Sequence, residues 1–176
     1  MTVSDYIIEF LENKGIGHAF TVSGGGSIFL CDALSRAKRM GYVACHHEQG
    51  AAYAAEGYSR ARNSVGFALV TSGPGGTNAV SGVASAFLDG IPVFFISGQA
   101  FLKHTITGKE GLRQLGVQEI NIIDIVKPIT KYSLMLCNSS KVYIDYHLER
   151  AWHYMTKPRM GPVWLDIPGD IQNARI

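Results

Sequence analysis

The sequence predicts an α/β fold: a doubly wound, mainly parallel six-stranded sheet with helices on both faces. Three observations carry that reading. Short runs such as Val65 to Val70 and Ile91 to Ile96 are apolar throughout, the pattern of strands covered on both sides. Turns rich in glycine follow the runs, as in Ser23-Gly24-Gly25-Gly26 and Ser72-Gly73-Pro74-Gly75-Gly76. Segments with three-four apolar spacing then follow the turns. Such alternation means parallel strands joined by crossover helices. Right-handed crossovers place every strand-to-helix turn on one edge of the sheet, where α/β sheets bind ligands.

In chain order, Val3, Tyr6, Ile7, Phe10 and Leu11 mark a helix, with Thr2 or Ser4 as its cap and Gly15 and Gly17 as its stop. A strand over His18 to Val22 leads through the triple-glycine turn into a helix over Ser27 to Arg39. Tyr42 to Cys45 reads as the next strand, and Glu48 to Ala61 as an alanine-rich helix. The strand Val65 to Val70 precedes a helix from about Thr77 to Leu88, then the strand Ile91 to Ile96. Gly98 to Gly116 is a long polar connection, and connections of that length inside a domain are usually functional or mobile. Regular structure resumes at Ile120 to Val126 and stops at Pro128. A strand around Ile129 to Leu134, a helix from Lys141 to Met155 and a last strand, Pro162 to Ile167, complete the pattern.

Composition narrows the function. The 176 residues make one domain, 1–176, with no internal repeat, linker or low-complexity segment. A net charge of +2 with 17% charged residues supplies no basic footprint for nucleic acid. A hydrophobic share of 47% excludes disorder. Cys31, Cys45 and Cys137 show no CxxC spacing, so neither a disulfide framework nor a zinc knuckle is indicated, and a reducing cytoplasm is expected. Met1 to Asn13 is amphipathic, unlike a signal peptide, and Ile91 to Ile96 is too short to cross a bilayer. A soluble protein is expected, with no membrane partner.

Chemistry concentrates in the turns. Ser23-Gly24-Gly25-Gly26-Ser27 matches neither a dinucleotide fingerprint nor a Walker loop; it is either a structural turn or a cradle of N–H groups for an anion. Glu48 opens a helix that continues Gly50, Ala51, Ala52, Tyr53, Ala54, Ala55; side chains this small predict close packing on all sides and a buried glutamate. Either Glu48 complements the helix dipole, or its carboxyl is fixed in a partly dry place to donate or exchange a proton. His46, His47 and Glu48 do not form an HExxH zinc site, and Gly169-Asp170 is followed by too few residues to complete a metal-diphosphate motif, so no metal ligands are assigned. Asn78 is either a helix cap or a side chain aimed at a ligand lying against the Thr71–Asn78 turn.

His47-Glu48-Gln49-x-Ala51-x-x-Ala54-Ala55-x-Gly57-Tyr58-x-Arg60, Thr71-Ser72-Gly73-Pro74-Gly75-x-Thr77-Asn78, Asp89-x-Ile91-Pro92 and Ser97-Gly98-Gln99 occur in this order. They are followed by Val117-Gln118-Glu119, Lys127-x-Ile129-Thr130-Lys131-Tyr132 and Gly161-Pro162-Val163-x-Leu165-Asp166-Ile167-Pro168-x-Asp170. Together these motifs resemble the N-terminal pyrimidine-binding domain of thiamine-diphosphate enzymes, in particular the acetolactate synthase (acetohydroxyacid synthase) group. The resemblance implies that Glu48 hydrogen-bonds the N1′ nitrogen of the cofactor's aminopyrimidine. That bond promotes the imino form, which activates the thiazolium C2 for addition to a 2-oxo acid and loss of carbon dioxide, the cofactor acting as electron sink. It further implies that Pro74 and Asn78 lie against the pyrimidine, that Gln118 faces the reacting centre, and that Val22, Ser23, Gly24 and Gly25 form the first active-site loop.

Two departures matter. The family's Tyr-Pro-Gly-Gly in that first loop is here Val22-Ser23-Gly24-Gly25. The diphosphate-binding domain, which holds Mg2+ in this family, is not in this chain, so residues 1–176 alone are expected to be inactive. The first reading is therefore the pyrimidine domain of an acetolactate-synthase-like enzyme, active by decarboxylation and carboligation. The second is a small subunit of a split 2-oxo acid decarboxylase, and the third a catalytically silent association module. Expected partners are a diphosphate-binding domain or subunit, a 2-oxo acid, and further copies in a homodimer or tetramer through the edge bearing Glu48, Pro74 and Gln118.

Overall fold

Phe67, Ala68, Leu69 and Val70 give a strand no polar side to turn to water, so it must be covered on both faces. In the computed structural model, which describes all of residues 1–176, this strand lies inside a six-stranded sheet whose pairings are all parallel. The strands are β1 (His18–Thr21), β2 (Gly41–Ala44), β3 (Gly66–Val70), β4 (Val93–Gln99), β5 (Tyr132–Met135) and β6 (Val163–Pro168), in the order β2-β1-β3-β4-β6-β5. The helices are α1 (Val3–Asn13), α2 (Ile28–Ser35), α3 (Glu48–Arg62), α4 (Pro74–Asp89), α5 (Ile122–Val126), α6 (Lys141–Thr156) and α7 (Gly169–Asn173). The doubly wound fold predicted from the sequence is the one observed.

Strand order fixes the layers. The steps β1 to β2 and β5 to β6 run one way across the sheet, while β2 to β3, β3 to β4 and β4 to β5 run the other. With right-handed crossovers, α2 and α6 must cover one face and α3, α4 and α5 the opposite one. The cores agree. Leu30, Leu34, Ile144 and Leu148 pack with Phe67, Leu69, Phe94 and Ile96 on the first face. Ala52, Ala55, Ala79, Val83 and Ile122 pack with Ala68, Val70, Phe95 and Trp164 on the second. The period-two alternation along β3 divides its side chains between them. Neighbouring strands β1 and β3 thus send their helices to opposite faces, which opens a crevice between their carboxyl ends.

Several boundaries differ from those expected. Helix α4 starts at Pro74, not Thr77, because proline fits the first helical position, where its missing N–H costs nothing. Strand β4 runs on to Gln99, since Gly98 and Gln99 pair with Ile167 and Pro168. Pro128 closes a 3-10 turn, Lys127–Ile129, and this delays β5 to Tyr132. Thr2 is the cap of α1, in a capping box with Asp5; Ser4 is buried and donates to the Gln172 carbonyl at 2.9 Å. Helix α2 ends at Ser35, short of Arg39, and the five-residue α7 had no counterpart in the sequence reading.

Candidate active site

The three carboxyl-edge turns fit together through missing side chains. A Cβ on Gly24 would lie 2.5 Å from that of Thr71, and one on Gly26 would lie 2.6 Å from Ser72 Oγ. The Gly26 N–H donates to Thr71 Oγ1 at 3.1 Å. The first loop can therefore lie flat over the end of β3 only because glycine occupies these positions. Thr71 is the hub of the arrangement, since its methyl group also meets the space that a Cβ on Gly75 would enter, at 2.6 Å.

Gly73, with φ of +57°, turns the chain into α4, and any side chain there would collide with the Gln118 carbonyl. Gln118 itself holds φ of +52°, a backbone state that costs a non-glycine residue of order 1–3 kcal/mol and is concentrated at functional sites. Gly73 thus brings Gln118 beside Pro74. Both Pro74 and Gln118 are exposed.

Glu48 is the first residue of α3. His47 caps that helix through Nδ1, which accepts the Gln49 N–H at 3.2 Å. An acid in the first turn is favoured by the helix dipole, and the chain gives the carboxyl a second fixture. Asn78 Nδ2 donates to Glu48 Oε2 at 2.9 Å. Glu48 Oε1 takes no hydrogen bond from the chain and would lie 3.4 Å from a Cβ on Gly75. Asn78 is therefore a side chain that holds the acid, and the capping role considered for it is excluded by its place in the second turn of α4.

Two expectations about Glu48 need correction. The residue is half-buried, not buried, and α3 is packed on one side only: Ala51, Ala52, Ala55, Glu56 and Ser59 are covered, while Gly50, Tyr53 and Gly57 are exposed. The reason is position. The head of α3 projects beyond β2, an edge strand whose four residues are all exposed. Small side chains here leave a smooth open face instead of a filled one.

Of the remaining first-loop residues, Gly24 joins the Thr71 hub and Val22 lines a separate cavity of about 310 Å³ with Thr21, Cys31, Tyr42 and Cys45. Ser23 is exposed at the rim of the same cavity, and Gly25 is exposed. The structure thus brings Glu48, Asn78, Gly75, Thr71 and Gly24 into one cluster, with Pro74 and Gln118 beside it.

A second acid stands farther along the sheet, in β6, where the sequence shows it only as part of a motif. Asp166 in β6 is 1% exposed; it accepts Ser97 Oγ at 2.6 Å on one oxygen and Gln99 Nε2 at 3.0 Å on the other. Trp164 Nε1 in turn donates to Ser97 Oγ at 2.8 Å. Burial pushes the Asp166 carboxyl up to about 7, against the two hydrogen bonds, and the nearby Glu119 charge adds to the rise. The available signal was a charge set inside the apolar run Val163-Trp164-Leu165-Asp166-Ile167.

Fold and site together define a parallel α/β domain with a half-open carboxyl group at the carboxyl edge of the sheet, beside a glycine turn. Residues 1–125 match the family of thiamine pyrophosphate enzymes, N-terminal TPP binding domain, and the chain belongs to that family. It is 39% identical over 173 residues to acetolactate synthase of Arthrospira platensis, covering 97% of this chain and 28% of that protein. It is 37% identical over 169 residues to the chloroplastic acetolactate synthase of Arabidopsis thaliana, covering 96% and 24%. To the acetolactate synthase large subunit of Corynebacterium glutamicum it is 36% identical over 176 residues, covering 100% and 27%. The chain spans about a quarter of the length of these relatives.

Proposed function

We propose that residues 1–176 are the pyrimidine-binding part of an acetolactate-synthase-like enzyme that acts on a 2-oxo acid by decarboxylation and carboligation. The observation that carries this is the state of Glu48: one oxygen held by Asn78, the other free beside the glycine turn of α4. A protonated carboxyl placed there donates one hydrogen bond to a heterocyclic nitrogen, while Asn78 keeps its plane fixed. Thiamine diphosphate, when bound, supplies the electron sink for the chemistry at the 2-oxo acid. Pro74 and the Gly75 backbone bound the ring, and Gln118 faces the reacting end. Val22 to Gly25 form the loop on the other side; replacement of Tyr-Pro by Val22-Ser23 changes the surface offered to substrate.

The diphosphate and Mg2+ belong, in this reading, to a diphosphate-binding domain or subunit outside residues 1–176. The unfinished surface around Glu48 supports an assembly of two or four copies. Tyr42, Val43 and Tyr53 are exposed on one side of the site and Val117, 87% exposed, on the other, an apolar rim of the kind that protein partners cover. No helix is long and apolar enough to cross a membrane, and we propose a cytoplasmic setting. Neither the split-decarboxylase nor the association-module reading has a specific observation in its favour.

The test is thiamine diphosphate with Mg2+ added to the isotope-labelled chain, followed by amide resonances. Shifts confined to Glu48, Gly73–Gly75, Asn78 and Gln118 are expected, and shifts elsewhere or nowhere would remove the assignment. Residues 1–176 alone are expected to decarboxylate no pyruvate under these conditions.

A further inference from the structure

Glu119 stands where a carboxylate has no evident reason to be buried. It is 8% exposed, and it contributes to neither hydrophobic core. Its partners are main-chain groups of a single loop: Oε1 accepts the Ile106 N–H at 3.0 Å and Oε2 accepts the Leu115 N–H at 3.3 Å. A buried carboxylate is costly unless its hydrogen bonds replace water, and here both oxygens are used to draw together two backbone points nine residues apart.

The base of this loop is anchored by other side chains. Gln99 donates to the Ile120 carbonyl at 3.0 Å and accepts the Ala100 N–H at 2.9 Å, while Asp170 accepts the Leu102 N–H at 2.9 Å. Glu119 therefore shapes only the far part of the loop, where the chain makes a tight turn. The Glu119 N–H donates to the Gly116 carbonyl at 3.3 Å, and Gln114 Nε2 donates to the same oxygen at 2.8 Å. A side chain on Gly116 would lie 2.8 Å from the Ala100 Cβ and 2.9 Å from the His104 carbonyl, so the turn is pressed against the start of the loop. Gln118 is the left-handed residue of that turn, and its carbonyl rests on Gly73.

We propose that Glu119 is a positioning residue: by bonding the Ile106 and Leu115 amides it holds the 106–118 loop in the shape that sets Gln118 against the Gly73 turn. The placement of Gln118 follows from this geometry alone, and its meaning for catalysis rests on the thiamine reading above. Two acceptor oxygens at this position are needed to bond both amides, so glutamine can serve only one of them and alanine neither.

The test uses the 176-residue chain labelled with nitrogen-15 as wild type, Glu119→Ala and Glu119→Gln. Hydrogen exchange at Ile106 and Leu115 should quicken by about tenfold or more in Glu119→Ala, the worth of a hydrogen bond to a charged acceptor. In Glu119→Gln only one of the two amides should do so. The Gln118 and Gly73 resonances should shift in the alanine variant and return toward wild type in the glutamine one, while the amides of β3 and β4 keep their exchange rates. Unchanged exchange at Ile106 and Leu115 overturns the proposal. Exchange that quickens throughout the sheet also overturns it, by showing a general loss of stability, as does a Gln118 resonance that stays in place while the two amides exchange faster. Should Glu119→Ala fail to fold, Glu119→Gln decides by the same criteria. A wild-type chain unmoved by thiamine diphosphate and Mg2+ would sink the cofactor reading, and exchange at the two amides would still decide the role of Glu119.

Discussion

Two acids at one edge of the same sheet have opposite fates. Asp166, in β6, is sealed by its own chain: Ser97 and Gln99 donate to it, Trp164 donates to Ser97, and β4 covers it. Glu48, past the end of β2, is half-open and held by Asn78 alone. The difference follows from strand position. A central strand is closed by neighbours on both sides and helices on both faces, whereas an edge strand lacks one neighbour, and here its faces are bare as well. An acid that its own chain completes serves the fold, and one left incomplete is available to a ligand or a partner.

The largest effect is expected on the open acid. Glu48→Gln in the enzyme assembled with its diphosphate domain should keep cofactor binding and lower turnover by about 10²–10⁴-fold, the usual contribution of one proton-transfer group. Steady-state kinetics check it, and an unchanged kcat would erase the distinction between the two acids. The closed acid is reached through its cover. Trp164→Ala removes a fully buried indole and leaves Ser97 Oγ without its donor, and should cost about 3–5 kcal/mol in a denaturant titration. A loss under about 1 kcal/mol would mean that β6 is not the sealed region described.

Asp166 makes a prediction of opposite sign to the usual carboxylate. Its proton is bound more tightly in the folded chain, up to about 7 against 3.8, so the folded state holds the extra proton between these values. Its contribution to stability is complete below about pH 4, falls as pH rises toward 7, and is constant above. Melting temperatures across this range should therefore decline less in Asp166→Asn than in wild type; equal slopes would show that the group does not titrate as buried. The smallest effect belongs to Asn78→Ala. Loss of one hydrogen bond to a half-exposed carboxylate should change stability by about 1 kcal/mol or less, while the Glu48 side-chain resonance should move. A Glu48 signal unchanged by that substitution would remove the claim that Asn78 fixes it.

Much of the site was legible because its residues sit in consecutive turns. Glu48 opens the helix that follows β2, and the glycines around Thr71 lie in one motif, so chain order alone placed them on one edge. Thr71 as the hub was not legible, because its partner Gly24 comes from another turn and meets it only once β1 and β3 are neighbours. The exposure of α3 was misjudged for a related reason. Small residues are compatible with a tightly packed helix and with a bare one, and only the edge position of β2 chose between them.

By itself the sequence determined the doubly wound class, the number of strands, the edge on which the turns gather and the family. These depend on periodicity, glycine placement and motif order, which are local properties of the chain. Only the tertiary structure decided which acid is closed and which is open, that Asn78 holds Glu48, and that Glu119 spans the loop behind Gln118. Those facts depend on contacts that no local pattern of the chain specifies, set by strand order and by the packing of one turn over another.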